Sequence, residues 1–383
     1  MATSNNFSSF DSWPSSESSG RLLQDTPSAV IEEAERGSFV GLLGFLGFLL
    51  GSPFIDDMSF PENSAPVFER ALGRGASFTV RRANQGKRDQ RAEHQHVLKG
   101  GRAGVAKNLR ITALAREASV LSHPALHLHP NIVRLRGVAW ERDEDGAETV
   151  LPMLALELAA HGNLGAFLNH KTLPLEQRIS LCFGVASGLR SLHRLDIAHC
   201  DIKCENVIIS PHSESGYIAK LTDFGFAEVC KGIHERRLGK GSVPWNAPEW
   251  LDIVNDRVFL KSDIYSFGLL LWRCILGGQN PFELHPYCNL PAAERNQLVE
   301  ERKRDGQVLG DAISSLDAVQ GAGQSLRDAL SHLLQVSPEK RALDSCMTLM
   351  LPQSELRYAR PPSPSAFCRR YHYHHHHHTK NGR

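Results

Sequence analysis

Apolar positions follow two different rhythms along the chain. Up to about Leu158 they come in short runs separated by turn residues; beyond it they recur mostly at helical spacing. Phe68 to Val80, with a glycine turn inside it, reads as strand, as do Ile132 to Trp140 and Val150 to Leu158. Val105-Ala106-Lys107 reads as a further short apolar strand, and Ile111 to Leu121 has a helical period. The polar stretch Arg81 to Arg102, rich in Gly, Gln and charge, reads as a hairpin-like insertion. Val207 to Thr222 has the pattern strand, turn, strand. Cys182, Val185, Ala186, Leu189 and Leu192 form an apolar stripe of the kind a half-buried helix presents. Ile264 to Leu276 is apolar nearly all round, which marks a buried central helix.

The ends of the chain have a different character. Residues 1–37 are Ser- and Asn-rich and read as disordered. An apolar run from Phe39 to Leu50 follows, with glycines at 41, 44, 47 and 51. Even extended to Ile55 it is shorter than the ~20 apolar residues a membrane span needs. It also lacks the basic flank and N-terminal position of a signal peptide. Docking to a partner or to the chain's own domain, association with a membrane surface, and plain burial all stay open for 39–51. The expected division is an N-terminal tail at 1–60, one domain at 67–348, and a disordered tail at 353–383. That last tail holds a short Pro-rich segment and a His tract at 374–378.

Composition narrows the class. The 383 residues suffice for one domain of roughly 250–300 residues plus tails. Lys and Arg number 43 against 42 Asp and Glu, a net charge of +1, which gives no support for a nucleic-acid partner. Eight cysteines show no CxxC pair, so a reduced, cytoplasmic setting is expected, with membrane association resting on 39–51 alone.

The chemistry concentrates in His199-Cys200-Asp201-Ile202-Lys203-Cys204-Glu205-Asn206 and in Asp223-Phe224-Gly225. An Asp can hold a substrate hydroxyl, a Lys can neutralise a transferring phosphoryl group, and Asn and Asp oxygens can ligate Mg²⁺. Gly73 and Gly75 lie in Leu72-Gly73-Arg74-Gly75-Ala76-Ser77-Phe78-Thr79-Val80, where missing Cβ atoms let backbone N–H groups approach phosphate oxygens. Downstream stand Gly241 to Glu249, Ser262 to Gly268 and Ser337 to Ala342. Together these stretches resemble the eukaryotic protein kinases over about residues 67–348. The central helix, with Ser266-Phe267-Gly268 and Leu271-Trp272, is similar to tyrosine-kinase-like and receptor-like-kinase-like Ser/Thr members.

The resemblance implies an α+β, two-lobed fold: a small, mainly β N-lobe at about 67–158 and a larger, mainly helical C-lobe at about 159–348. It implies ATP and Mg²⁺ as the nucleotide and metal, and a protein bearing Ser or Thr as substrate. Asp201 would orient the hydroxyl, Lys203 would stabilise the γ-phosphoryl group, and Asn206 and Asp223 would hold Mg²⁺. Lys107, paired with Glu117, would anchor the α- and β-phosphates. Leu72, Gly73, Gly75, Val80, Val105, Leu156, Glu157, Ala159 and Ile208 would surround the nucleotide, with Leu156 at the back of the pocket. His199, Phe224, Gly225, Ser242, Glu249, Asp263 and Arg341 would be structural, with Glu249 paired to Arg341 and Asp263 tying the catalytic loop to the central helix.

Two positions depart from the family. Phe78 stands at the third glycine of the phosphate loop, and Cys200 stands where most members carry the Arg that receives an activating phosphate. Between Phe224 and Glu249 the only hydroxyl side chain is Ser242. Activity without phosphorylation of this segment is therefore expected. The same departures favour a rival reading, a catalytically weak ATP-binding scaffold or adaptor, against which stand the retained Lys, Glu, Asp and Asn residues. Lys231, Arg236, Arg237 and Lys240 read either as solvated loop charges or as a preference for acidic substrates.

Overall fold

A computed structural model of the chain describes residues 56–57, 73–74, 78–82, 96–102, 104–142, 150–239, 241–284 and 286–350. The apolar run at 39–51, Leu72, Gly75 and both tails lie outside the described residues.

Strands come first in the chain, as the short apolar runs require. β1 (Asp56–Asp57), β2 (Gly73–Arg74), β3 (Phe78–Arg82), β4 (His96–Gly101), β5 (Leu135–Arg142) and β6 (Val150–Glu157) make one sheet in the order β1-β5-β6-β4-β3-β2. β1 runs parallel to β5, and the other pairs are antiparallel. A helix, α1 (Lys107–Ser122), is inserted between β4 and β5 and buries Ile111, Leu114, Ala115, Ala118, Val120 and Leu121.

Two expectations fail here. The supposed insertion contains β4, whose residues His96 to Gly100 are all buried between β3 and β6. Burial on both faces removes the alternation that identifies a half-exposed strand. Val105-Ala106-Lys107 is not a strand. Gly104 turns the chain with φ +84°, and α1 begins at Lys107 with Ala106 as an N-cap that makes no side-chain hydrogen bond. A smaller shift occurs at Ile132, which makes one bridge to Leu221 while β5 starts at Leu135.

The helical lobe follows. α2 (Leu164–His170) is capped by Asn163, whose Oδ1 accepts the Ala166 N–H at 2.8 Å. α3 (Leu175–His193) buries the predicted stripe, with Cys182, Val185, Ala186, Leu189 and Leu192 all at 0% exposure. Each such leucine contributes roughly 1.5–3 kcal/mol by leaving water. β7 (Ile197–Ala198), the hairpin β8 (Val207–His212) and β9 (Gly216–Leu221), and β10 (Glu228–Val229) frame the loops that face the sheet lobe. β10 pairs with β7, and β11 (Glu235–Arg237) pairs with β12 (Ile253–Asn255). α4 (Val258–Ile275) is buried continuously from Ser262 to Ile275 and forms the axis of the lobe. α5 (Ala292–Arg304), α6 (Gln307–Ser315), α7 (Gln324–Leu333) and α8 (Leu343–Met350) complete the lobe, with α7 packed against α4 and α8 against α3 and α7. No helix among the described residues is long and apolar enough to cross a membrane.

Three successive residues at the start of α4 hold three distant parts of the chain. Lys261 Nζ donates to the Arg341 carbonyl at 3.0 Å, and Ser262 donates to Glu249 Oε1 at 2.5 Å. Asp263 accepts the backbone N–H groups of His199 and Cys200 at 2.7 and 2.9 Å.

Candidate active site

The loop from His199 to Asn206 hangs from Asp263 at one end and closes in a 3₁₀ turn (Cys204–Asn206) at the other. Cys200 sits at φ 63°, the left-handed region, which turns the chain sharply before Asp201. His199 Nδ1 accepts the Asp201 N–H at 3.3 Å, so its proton resides on Nε2, which donates to the Thr222 carbonyl at 3.1 Å. Asp201 is buried and fully engaged. Asn206 Nδ2 donates to its backbone and side-chain oxygens, both at 2.8 Å. Lys203 Nζ donates to Oδ2 at 2.7 Å, and Ser242 Oγ donates to Oδ1 at 2.8 Å. Lys203 also donates to Ser242 Oγ at 2.6 Å. Asp201, Lys203, Asn206 and Ser242 are thus one hydrogen-bonded set drawn from two segments.

A second set forms across the lobes. Lys99 Nζ lies 2.5 Å from Glu117 Oε2 and 2.9 Å from Asp223 Oδ1. This corrects the expectation for Lys107, which is the exposed first residue of α1, while Lys99 on β4 holds the contact to Glu117. The physical reason is placement: Lys99 lies on β4, which packs against α1, whereas Lys107 is part of α1 itself and sits at its exposed start. Val105 is displaced with it. Val97, two residues before Lys99 on β4, joins Phe78, Val80, Leu156 and Ile208 in the apolar cluster instead. Burial works against the Lys99 ammonium, but the two carboxylates outweigh it and hold its pKa above the ordinary lysine value. Burial likewise opposes the Asp223 carboxylate, and Lys99, His199 and Lys203 overcome it, holding its pKa below the usual range.

Asp223 has φ 67°, a conformation that Asp tolerates better than bulkier residues. Phe224 is fully buried, its ring 4.9 Å from that of His199. Gly225 is tightly enclosed: a Cβ there would lie 3.3 Å from the Phe78 ring and 3.4 Å from Ala113 of α1. Phe78, at the third glycine position, turns inward, 4% exposed, with Lys99 Nζ 4.7 Å from its ring centroid.

The pocket wall is built by pairing. Leu156 lies opposite Val97 on β4 and Leu135 on β5, and Gly73 pairs with Val80. The Glu157 side chain accepts the Arg134 N–H at 2.8 Å and pairs with Lys220 at 2.7 Å, which fixes the crossing between the lobes. Asn206 and Asp223 are the hard oxygen donors here. The Asn206 amide nitrogen is committed to Asp201, which leaves its carbonyl oxygen to act as ligand. Among the described residues, no three His, Cys, Asp or Glu side chains form a closed cage. An open oxygen site of this kind suits Mg²⁺ that takes its remaining ligands from phosphate and water.

Beside the site, Arg341 meets Glu249 in a buried bidentate pair at 2.6 and 2.8 Å. Lys303 was not foreseen. It is 0% exposed and donates to the Pro244 carbonyl at 2.7 Å, Asn246 Oδ1 at 3.2 Å and Glu300 Oε1 at 2.9 Å, anchoring the segment after Ser242 to α5. Burial lowers its pKa to about 8. Nothing in the charged helix around it marks it as buried. Lys99 did carry a signal, since His96-Val97-Leu98-Lys99 places a lysine after two apolar residues as Val105-Ala106-Lys107 does.

The profile described as the protein kinase domain matches residues 67–350. The G-type lectin S-receptor-like serine/threonine-protein kinase SD2-5 of Arabidopsis thaliana is 29% identical over 251 residues, 62% of this chain and 28% of that protein. The serine/threonine-protein kinase ULK3 of Homo sapiens is 28% identical over 219 residues, 56% of this chain and 40% of that protein. Ephrin type-A receptor 5 of Gallus gallus is 28% identical over 230 residues, 58% of this chain and 21% of that protein. The chain spans less than half the length of each of these relatives.

Proposed function

Because this chain belongs to the protein kinase family, we infer that it transfers the γ-phosphoryl group of ATP to Ser or Thr side chains of a protein, without needing a phosphate on its activation segment, the stretch from Phe224 to Glu249. The observation that supports this best is the pair of assembled sets, Lys99 with Glu117 and Asp223, and Asp201 with Lys203, Ser242 and Asn206. Lys203 beside Asp201 and the names of two relatives favour Ser or Thr over Tyr.

In this reading Asp201 orients the substrate hydroxyl and takes its proton as the oxygen attacks the γ-phosphorus and the bond to ADP breaks. Lys203 balances charge on the transferring group, and Ser242 holds Lys203 and Asp201 in register. Lys99, kept in place by Glu117, anchors the non-transferred phosphates. Asn206 and Asp223 would hold Mg²⁺, whose chemistry is to neutralise phosphate charge.

The test is turnover of Mg²⁺-ATP with a generic protein substrate, followed by identification of the phosphorylated residue. Asp201→Asn should lower turnover by roughly 10²–10⁴-fold. Equal turnover in both proteins, or phosphate found only on tyrosine, would overturn the reading.

Phe78 favours a second reading, a weakly catalytic ATP-binding scaffold, because its ring lies over the Lys99 ammonium. Phe78→Gly separates the two. A scaffold limited by this ring should gain turnover and bind ATP more tightly when it is removed. A working kinase whose loop lifts on binding should show little change in kcat.

A further inference from the structure

Glu228 sits at a junction that the phosphoryl-transfer chemistry does not use. It lies on β10, opposite Ala198 of β7, and its side chain is 6% exposed. Its Oε1 is 3.3 Å from Arg116 of α1, and its Oε2 is 2.9 Å from Arg236 of β11. One buried carboxylate therefore joins the helix of the sheet lobe to the activation segment of the helical lobe. The cations are held by further contacts. Arg236 lies 3.6 Å from Asp256, donates to the Val229 carbonyl at 3.3 Å, and has its guanidinium 5.2 Å from the Phe259 ring centroid. Arg236 is thus not a solvated loop charge and is not available to read an acidic substrate.

The neighbouring Cys200 gives this junction its meaning. Where an Arg would attract a phosphate, Cys200 packs against the apolar cluster of Ala198, Cys230, Leu238 and Phe259. A phosphate on this segment would serve to link cations of the two lobes. Here Glu228 already links them with a charge carried by the chain itself. Arg116 precedes Glu117, and successive helix residues point about 100° apart. Rotation of α1 that frees Arg116 from Glu228 would also draw Glu117 away from Lys99.

We propose that Glu228 is a positioning residue, a built-in carboxylate that replaces the activating phosphate by holding α1 against the activation segment so that Glu117 reaches Lys99. Its effect on turnover rests on the phosphoryl-transfer reading above; its effect on α1 does not.

The experiment is hydrogen exchange of the full chain together with turnover, in Glu228→Gln, Arg116→Met and the double variant. Exchange at the amides of Lys107–Ser122 should quicken, and kcat/KM should fall, each by roughly tenfold, the size expected for coupling within one ion-pair network. Exchange in Val258–Ile275 should stay as in the wild type. The double variant should be no worse than either single one. Unchanged exchange in α1, or fully additive effects, would overturn the proposal. If the wild type proves inactive while Glu228→Gln still loosens α1, the proposal stands and the catalytic reading falls. Should Glu228→Gln fail to fold, Arg116→Met decides by the same criteria, since Arg236 then still neutralises Glu228.

Discussion

Lys99 carries two carboxylates on a single ammonium, with Glu117 fully buried behind it. Replacing it with methionine removes the group that would hold the phosphates and leaves Glu117 as an uncompensated buried charge. Lys99→Met should lower kcat/KM by roughly a hundredfold or more, as loss of a preorganised electrostatic contact does. Lys107→Met, at an exposed helix start, should leave stability within about 0.5 kcal/mol and turnover unchanged. Parallel kinetics of the two variants check both statements, and the reverse order of effects would contradict the site as described. The two lysines also mark how far residue-level reading reaches. Asp201, Lys203, Asn206 and Asp223 lie in short contiguous motifs and were legible there. The choice between Lys99 and Lys107 depends on which strand lies beside α1. No local signal settled it, because α1 starts without a capping side chain and without an acidic first turn.

Among the elements, the segment from Phe224 to Glu249 is held by contacts that need no modification. Leu238 and Cys230 pack with Cys200, β11 pairs with β12, and Arg236 bonds to Glu228. Its one hydroxyl, Ser242, already joins Lys203 to Asp201. Treatment with a broad-specificity phosphatase should therefore leave turnover unchanged, measured beside mass-spectrometric mapping of the segment. Lost activity that tracked a phosphate mapped between Phe224 and Glu249 would contradict this. Legibility of the elements followed burial. α3 shows its apolar stripe because one side faces solvent, and α4 shows a continuous apolar run because it has no such side. β4 is buried from His96 to Gly100 yet contains His96 and Lys99, so its sequence looks polar while its position is central.

Across the whole molecule, the helical lobe is the more readable half. Its functional residues sit in compact stretches that fold upon themselves, as the β8–β9 hairpin does in bringing Asp223 back beside Asn206, where the Thr222 N–H donates to the Asn206 carbonyl at 3.0 Å. The sheet lobe assembles its part of the site from strands separated by long connections, where the pattern says little about which strands become neighbours.

The turn of α4 at Lys261–Asp263 has a consequence for how the chain is made. Lys261, Ser262 and Asp263 hold Arg341, Glu249 and the loop at His199. A ribosome releases these partners in order, and the arginine leaves last. Until it arrives, the Glu249 carboxylate lacks its buried counter-ion and this turn lacks one of its three attachments. The loop at His199 emerges midway through synthesis of the domain but acquires its complete support only when almost the whole domain has left the exit tunnel.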